Sequence, residues 1–245
     1  MSSGKQPLTG SNPYIPLCAL TEAEDEAFLG SVADNSTRNQ KFIDWLYANT
    51  DALVGYILAY YGDSYSTMYG FIGIGGSNGF FETDAIKAHF SKLIGNSNRE
   101  TAVNVINGVD EMIVYGSGHI GSTSVGTLSE PRPYVLDCYG SSEFMIAALK
   151  AAGIPALYVE GYCDSDSHAW VVCYLSDERT WEFIAATVAS KDHPFIQRDI
   201  LDASYKTEGI AFPCGIAGSD DSWLLLSASY YLNYAYPDKV VIPTT

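Results

Sequence analysis

Apolar side chains recur at helical spacing between Asn35 and Tyr61, where Phe42, Trp45, Leu46, Leu53, Ile57 and Leu58 fall on a common stripe. Upstream, Thr21 opens the segment TEAEDEAFL, whose acids stand in a first turn where the positive end of the helix dipole favours them. The N-terminal third is therefore predicted to be helical. A glycine-rich stretch from Tyr69 to Phe80 interrupts the pattern, and two further helical patterns follow over Asp84 to Ile94 and Arg99 to Ile113.

The pattern then changes. Gly116 to Pro133 is rich in Gly, Ser, Thr and Pro and reads as a long loop or irregular hairpin. From Asp137 to Ala152 the chain is apolar on nearly every face apart from Glu143 and Lys150, the mark of a helix enclosed by protein. Gly153 suits the C′ position of that helix and Pro155 prevents it from resuming. Three runs rich in Val, Tyr, Trp and Ile come next: Ala156 to Cys163, His168 to Leu175 and Thr180 to Thr187. Their four-residue connections, DSDS and SDER, suit antiparallel hairpins, and the first would set Cys163 opposite His168 and Cys173 opposite Tyr158. Helices followed by a meander predict an α+β fold with a central helix packed on an antiparallel sheet. The tail from Lys191 is less legible, with one or two strands expected around Ser222 to Tyr236.

Length and composition narrow the picture. At 245 residues the chain is one large domain or a domain with an extension, read here as a helical extension over 1–97 and a core over 98–245 forming one compact unit. Hydrophobic residues at 47% against 17% charged residues exclude a disordered chain. A net charge of −16 repels phosphate backbones and anionic lipid, so neither nucleic acid nor membrane is an expected partner, whereas a cationic peptide or protein substrate is favoured. The longest apolar run, Ala52 to Tyr61, falls well short of the roughly 18 residues that read as a membrane span. The N-terminal residues lack the apolar core of a signal peptide, which makes a cytoplasmic location the default expectation.

Five cysteines, at positions 18, 138, 163, 173 and 214, form no CxxC pair and no even framework, so neither a disulfide scaffold nor a zinc ribbon is expected. No cofactor and no metal is called for. Gly116 to Gly121 spells GxGxxG, but a loop rather than a helix follows it, which denies a pyrophosphate its helix N-terminus. His89 and His193 join no ligand cluster, and Asp164 with Asp166 lack the calcium-loop pattern.

Cys138 is different, because it opens the enclosed helix, where unpaired N–H groups and the dipole favour a thiolate. His168 follows 30 residues later at the mouth of a strand, sharing a strand face with Trp170, Val172 and Tyr174. If that face receives the central helix, the imidazole can meet the thiol. The plainer readings are a buried cysteine acting as a small hydrophobe and a hydrogen-bonded strand-end histidine.

The run CYGSSEFMIAALKAAGIPALYVEGY, followed by HAWVVCYL and WEFIAAT, resembles the transglutaminase-like superfamily of cysteine enzymes. The resemblance spans roughly Arg132 to Thr187 and implies a papain-like core, with Cys138 as nucleophile and His168 as base. It also implies acyl transfer on amide bonds through a thioester, as a peptidase, an amidase or a cross-linking enzyme. The family places a third residue, an acid, four positions after the tryptophan, and here that position is Ala185. Glu182 would point to the opposite strand face, Thr187 offers only a hydroxyl, and Asp164, Asp166 and Asp192 belong to loops. Three readings follow: another group orients His168, the protein is an inactive relative acting as a binding or structural protein, or an acid-to-alanine exchange has disabled the site.

Overall fold

The computed structural model describes residues 34–48, 50–62, 84–116, 128, 132–213 and 223–227. The readings made on Thr21 to Leu29, the glycine-rich stretch, most of the GxGxxG segment, Cys18 and Cys214 lie outside the described residues.

The helical run of the N-terminal third forms α1 (Asn35–Ala48) and α2 (Thr50–Gly62). Asp34 precedes α1 and its carboxylate accepts from the Thr37 N–H at 2.7 Å, which satisfies one of the otherwise unpaired first-turn donors. After α3 (Asp84–Phe90) and a 3₁₀ turn at Ser91–Leu93 comes α4 (Asn98–Asp110). Ser97 caps α4 by accepting from the Glu100 N–H, and the Glu100 carboxylate reaches back to the Asn96 N–H at 2.6 Å.

Two short strands, β1 (Ile113–Tyr115) and β2 (Tyr134–Leu136), pair in parallel ahead of the central helix α5 (Cys138–Ala151). Its N-cap is Asp137, whose carboxylate accepts from the Gly140 N–H at 2.9 Å. At the other end Gly153 takes φ +79°, the left-handed conformation that lets the chain turn into the next strand. Residues 140–150 of α5 are all buried, as its polarity pattern predicts. Phe144 shows how: it is fully enclosed, edge-on to Phe90 of α3 and to Tyr134 of β2. Burial of a side chain of this size contributes about 1.5–3 kcal/mol, and the aromatic geometry adds to it.

The meander follows as β3 (Ala156–Cys163), β4 (Asp166–Leu175) and β5 (Thr180–Ile184). The tail, hard to read from its pattern, supplies α6 (Arg198–Ser204), β6 (Tyr205–Pro213) and β7 (Trp223–Ser227). Together they make a five-stranded sheet in the order β5-β4-β3-β6-β7, with every pairing antiparallel. The fold is α+β, a central helix on an antiparallel sheet beneath a helical N-terminal region.

The hairpin register differs from the expected one. Strand β4 begins at Asp166, so Cys163 faces Asp166, Gly161 faces His168 and Cys173 faces Ala156. The turn shrinks to Asp164 and Ser165 because Asp164 adopts φ +54°, a conformation that aspartate tolerates better than most residues and that tight hairpins require. Cys163 and Cys173 are both free thiols, at opposite ends of the β3–β4 ladder.

The two faces of the sheet carry different cover. Tyr174 pairs with Trp181 and Val172 with Phe183, so these four share one face with Trp170 and His168. That face receives α1 and the start of α2: Phe42 lies edge-on to Phe183, and the Trp181 indole N–H donates to Thr50 Oγ1 at 3.0 Å. The central helix packs on the other face, with α4 beside it. There Arg99 of α4 holds Glu178 and Glu182, tying the β4–β5 hairpin to the helical layer. Beyond β5 the chain returns along the sheet edge, where the Ile196 N–H donates to the Phe183 carbonyl and covers part of an otherwise open edge.

Candidate active site

Cys138 is the first residue of α5 and is 6% exposed. Its sulfur lies against three backbone N–H groups, those of Ala169, Tyr139 and Cys138 itself. The same first turn is fixed to β4 by a hydrogen bond between Tyr139 Oη and Ser167 Oγ at 2.9 Å. Burial outweighs these donors, and the Asp137 carboxylate opposes a second negative charge, so the thiol titrates above its ordinary value. At rest Cys138 is a protonated thiol in a cradle built for negative charge.

His168 stands next to Ala169 on β4, beside the strand position that the thiol touches. Its half-buried ring is stacked on Trp170 at 6.1 Å between centroids and meets Tyr205 of β6 edge-on at 5.9 Å. Burial pushes its pKa below the ordinary histidine value, so the imidazole is neutral at pH 7 and able to accept a proton. No hydrogen bond or ion pair joins it to Cys138. The condition that the central helix cover the His168 face is not met, because α1 and the start of α2 occupy it. The thiol reaches β4 at its backbone instead.

Ala185 directly follows β5 and is 3% exposed, and its carbonyl accepts from the Val188 and Ala189 N–H groups in the turn that ends the strand. By parity with Trp181 and Phe183 it belongs to the face of His168 and Trp170. On that face a methyl side chain offers no hydrogen-bond acceptor. Among the described residues no carboxylate bonds to His168. Glu182, on the opposite face, is held by Arg99.

Residues 85–184 match the model of the transglutaminase-like superfamily. Over that segment the chain is similar to transglutaminase-like proteins. The match takes in α3 and runs to the end of β5, so it includes Cys138 and His168 and stops one residue before Ala185. A solved structure from Cytophaga hutchinsonii, provisionally described as a cysteine protease, is also similar, at 21% identity and a TM-score of 0.36 over 52% of this chain and 47% of that one. No curated protein matches the chain.

Within the matched segment and the strand beside it, two contributors, Tyr205 and the Ala169 N–H, escape a reading of the sequence alone, and the burial of a third residue, Glu143, does too. Tyr205 comes from the tail, and only the pairing of β3 with β6 brings it beside His168. The Ala169 N–H carries no side-chain signal at all. Glu143 shows in the sequence as a break in an apolar helix, and the structure places it 2% exposed, with Oε1 unbonded, so burial pushes its pKa well above the ordinary carboxylate range. Among the described residues no helix is long and apolar enough to cross a membrane.

Proposed function

We propose that the protein is a cysteine-dependent acyl-transfer enzyme acting on amide bonds of peptides or proteins, with Cys138 as nucleophile and His168 as base. The observation that carries this reading is the position of the Cys138 sulfur at a helix N-terminus among three backbone N–H groups, one residue along β4 from a neutral, half-buried imidazole.

The chemistry runs as follows. His168 takes the proton of the Cys138 thiol as the sulfur attacks the carbonyl carbon. The N–H groups of Cys138 and Ala169, released by the sulfur, then face the developing oxyanion. As the C–N bond breaks, His168 returns its proton to the departing amine and leaves a thioester on Cys138. Water cleaves the thioester to a carboxylic acid, or a second amine takes the acyl group as a new amide, and either step regenerates the thiol. The net charge of −16 favours substrates with cationic flanking residues.

A second reading, an inactive relative that binds rather than cleaves, is favoured by one specific observation: among the described residues no carboxylate bonds to His168, and the buried residue at position 185 is an alanine. The loss of such a partner costs up to about 10⁴ in rate in a comparable triad.

Incubation with p-nitrophenyl acetate, followed by peptide mapping, separates the two. The enzyme reading expects acetylation concentrated on Cys138, with a burst of nitrophenol, slowed at least tenfold in His168→Ala. Labelling spread over the other thiols and indifferent to His168→Ala would establish the non-catalytic reading.

A further inference from the structure

Among the described residues no acid bonds to His168, yet the imidazole is not left loose. We propose that Tyr205 is the positioning residue for His168, forming with Trp170 an aromatic clamp that takes over the orienting role vacant at position 185. This rests on the acyl-transfer reading for its purpose but on separate geometry for its existence.

Three contacts define the clamp. Trp170 stacks on the imidazole with 22° between planes, Tyr205 meets it at 61°, and the two clamping rings meet each other at 5.2 Å and 82°. Each ring thus limits the other as well as the histidine. Trp170 is fully buried, and Tyr205 is 6% exposed with its hydroxyl paired to the Cys163 thiol. The backbone around Tyr205 is fixed from α1, where Asn39 Nδ2 donates to the Tyr205 carbonyl at 2.8 Å and Asn39 Oδ1 accepts from Thr207. Close packing is possible because Gly161, opposite His168, has no side chain: a Cβ there would lie 2.8 Å from the Trp170 ring.

The clamp differs from an acid in its effect on charge. It fixes the plane of the imidazole but supplies no anion, and it excludes water, so it favours the neutral ring. Other polar groups brought to this face are Asp166 of β4, two positions before His168 and paired with Cys163 of β3, Thr207 of β6, paired with Gly161, and Arg38 and Asn39 from α1, both bonded to β6.

The test uses the full chain with Tyr205→Leu and Tyr205→Phe. His168 is titrated by NMR, with its signals assigned by their loss in His168→Gln, and acetylation of Cys138 by p-nitrophenyl acetate is timed. In Tyr205→Leu the His168 midpoint is expected to rise toward the ordinary value of about 6.5 and acetylation to slow at least tenfold. Tyr205→Phe, which keeps the ring, is expected to rescue most of both losses. An unchanged midpoint in Tyr205→Leu, or faster acetylation, would overturn the proposal, the latter by making Tyr205 a latch. Should the Leu variant not fold, Tyr205→Met is judged by the same criteria. Should wild-type Cys138 prove inert to the ester, the acyl-transfer reading fails while the NMR arm still decides the clamp.

Discussion

At the scale of single residues the site is a set of opposed tendencies. Cys138 has amide donors that favour a thiolate, but burial and Asp137 hold the proton on sulfur. His168 meets no carboxylate among the described residues, and burial holds it neutral. The resting pair is therefore thiol and imidazole rather than an ion pair, and position 185 is where the balance can be changed. Ala185→Asp introduces a carboxylate on the face of His168, which raises the imidazole pKa and fixes its tautomer. Acetylation of Cys138 is expected to accelerate at least tenfold, with the acid limb of its pH profile moving upward. The same change buries a carboxylate at a site now 3% exposed, so a stability loss of about 1–3 kcal/mol in urea unfolding is expected beside the gain in rate. Cys138 and His168 are legible in the sequence because each has a distinctive place, at a helix start and at a strand mouth. The relation between them is not legible, because strand parity says which face a residue takes and not which element covers that face.

At the scale of elements, the β3–β6 pairing decides the site's surroundings. A register shift between Glu160 and Gly161 admits the tail strand, and the backbones approach so closely at Gly161 that a Cβ would run into the Lys206 carbonyl oxygen. Gly161→Ala is therefore expected to destabilise the protein by about 3 kcal/mol or more, comparable to the larger core substitutions. It should also disturb the Trp170 and Tyr205 rings, visible as a change in near-ultraviolet circular dichroism at temperatures where the far-ultraviolet signal is intact. The helix α5 and strands β3 to β5 are legible from pattern alone, because periodicity, the Gly153 stop and Pro155 all agree. The tail is not: a seven-residue helix running directly into a strand at Tyr205 leaves no turn residues to mark the change.

At the scale of the whole molecule, an acidic chain carries one carboxyl enclosed in its central helix. Glu143 keeps its proton in the folded state well above the pH at which it ionises unfolded. Above the ordinary carboxylate value the native state thus binds more protons than the unfolded state, and stability falls as pH rises toward the raised native value. Glu143→Gln removes this dependence. Its thermal midpoint is expected to match wild type near pH 4 and to exceed it at pH 8, as measured by paired melts across that range.

The sequence by itself determined the class of fold, the enclosed helix with Cys138 at its head, the strand with His168 at its mouth and the alanine at position 185. These are local properties, set by periodicity, capping and turn chemistry within a few residues. Only the tertiary structure decided that α1 covers the His168 face, that the Ala169 N–H meets the sulfur and that Tyr205 arrives from the tail to brace the imidazole. Such contacts join residues far apart in the chain, and they depend on how whole faces exclude water from one another, which no local pattern records.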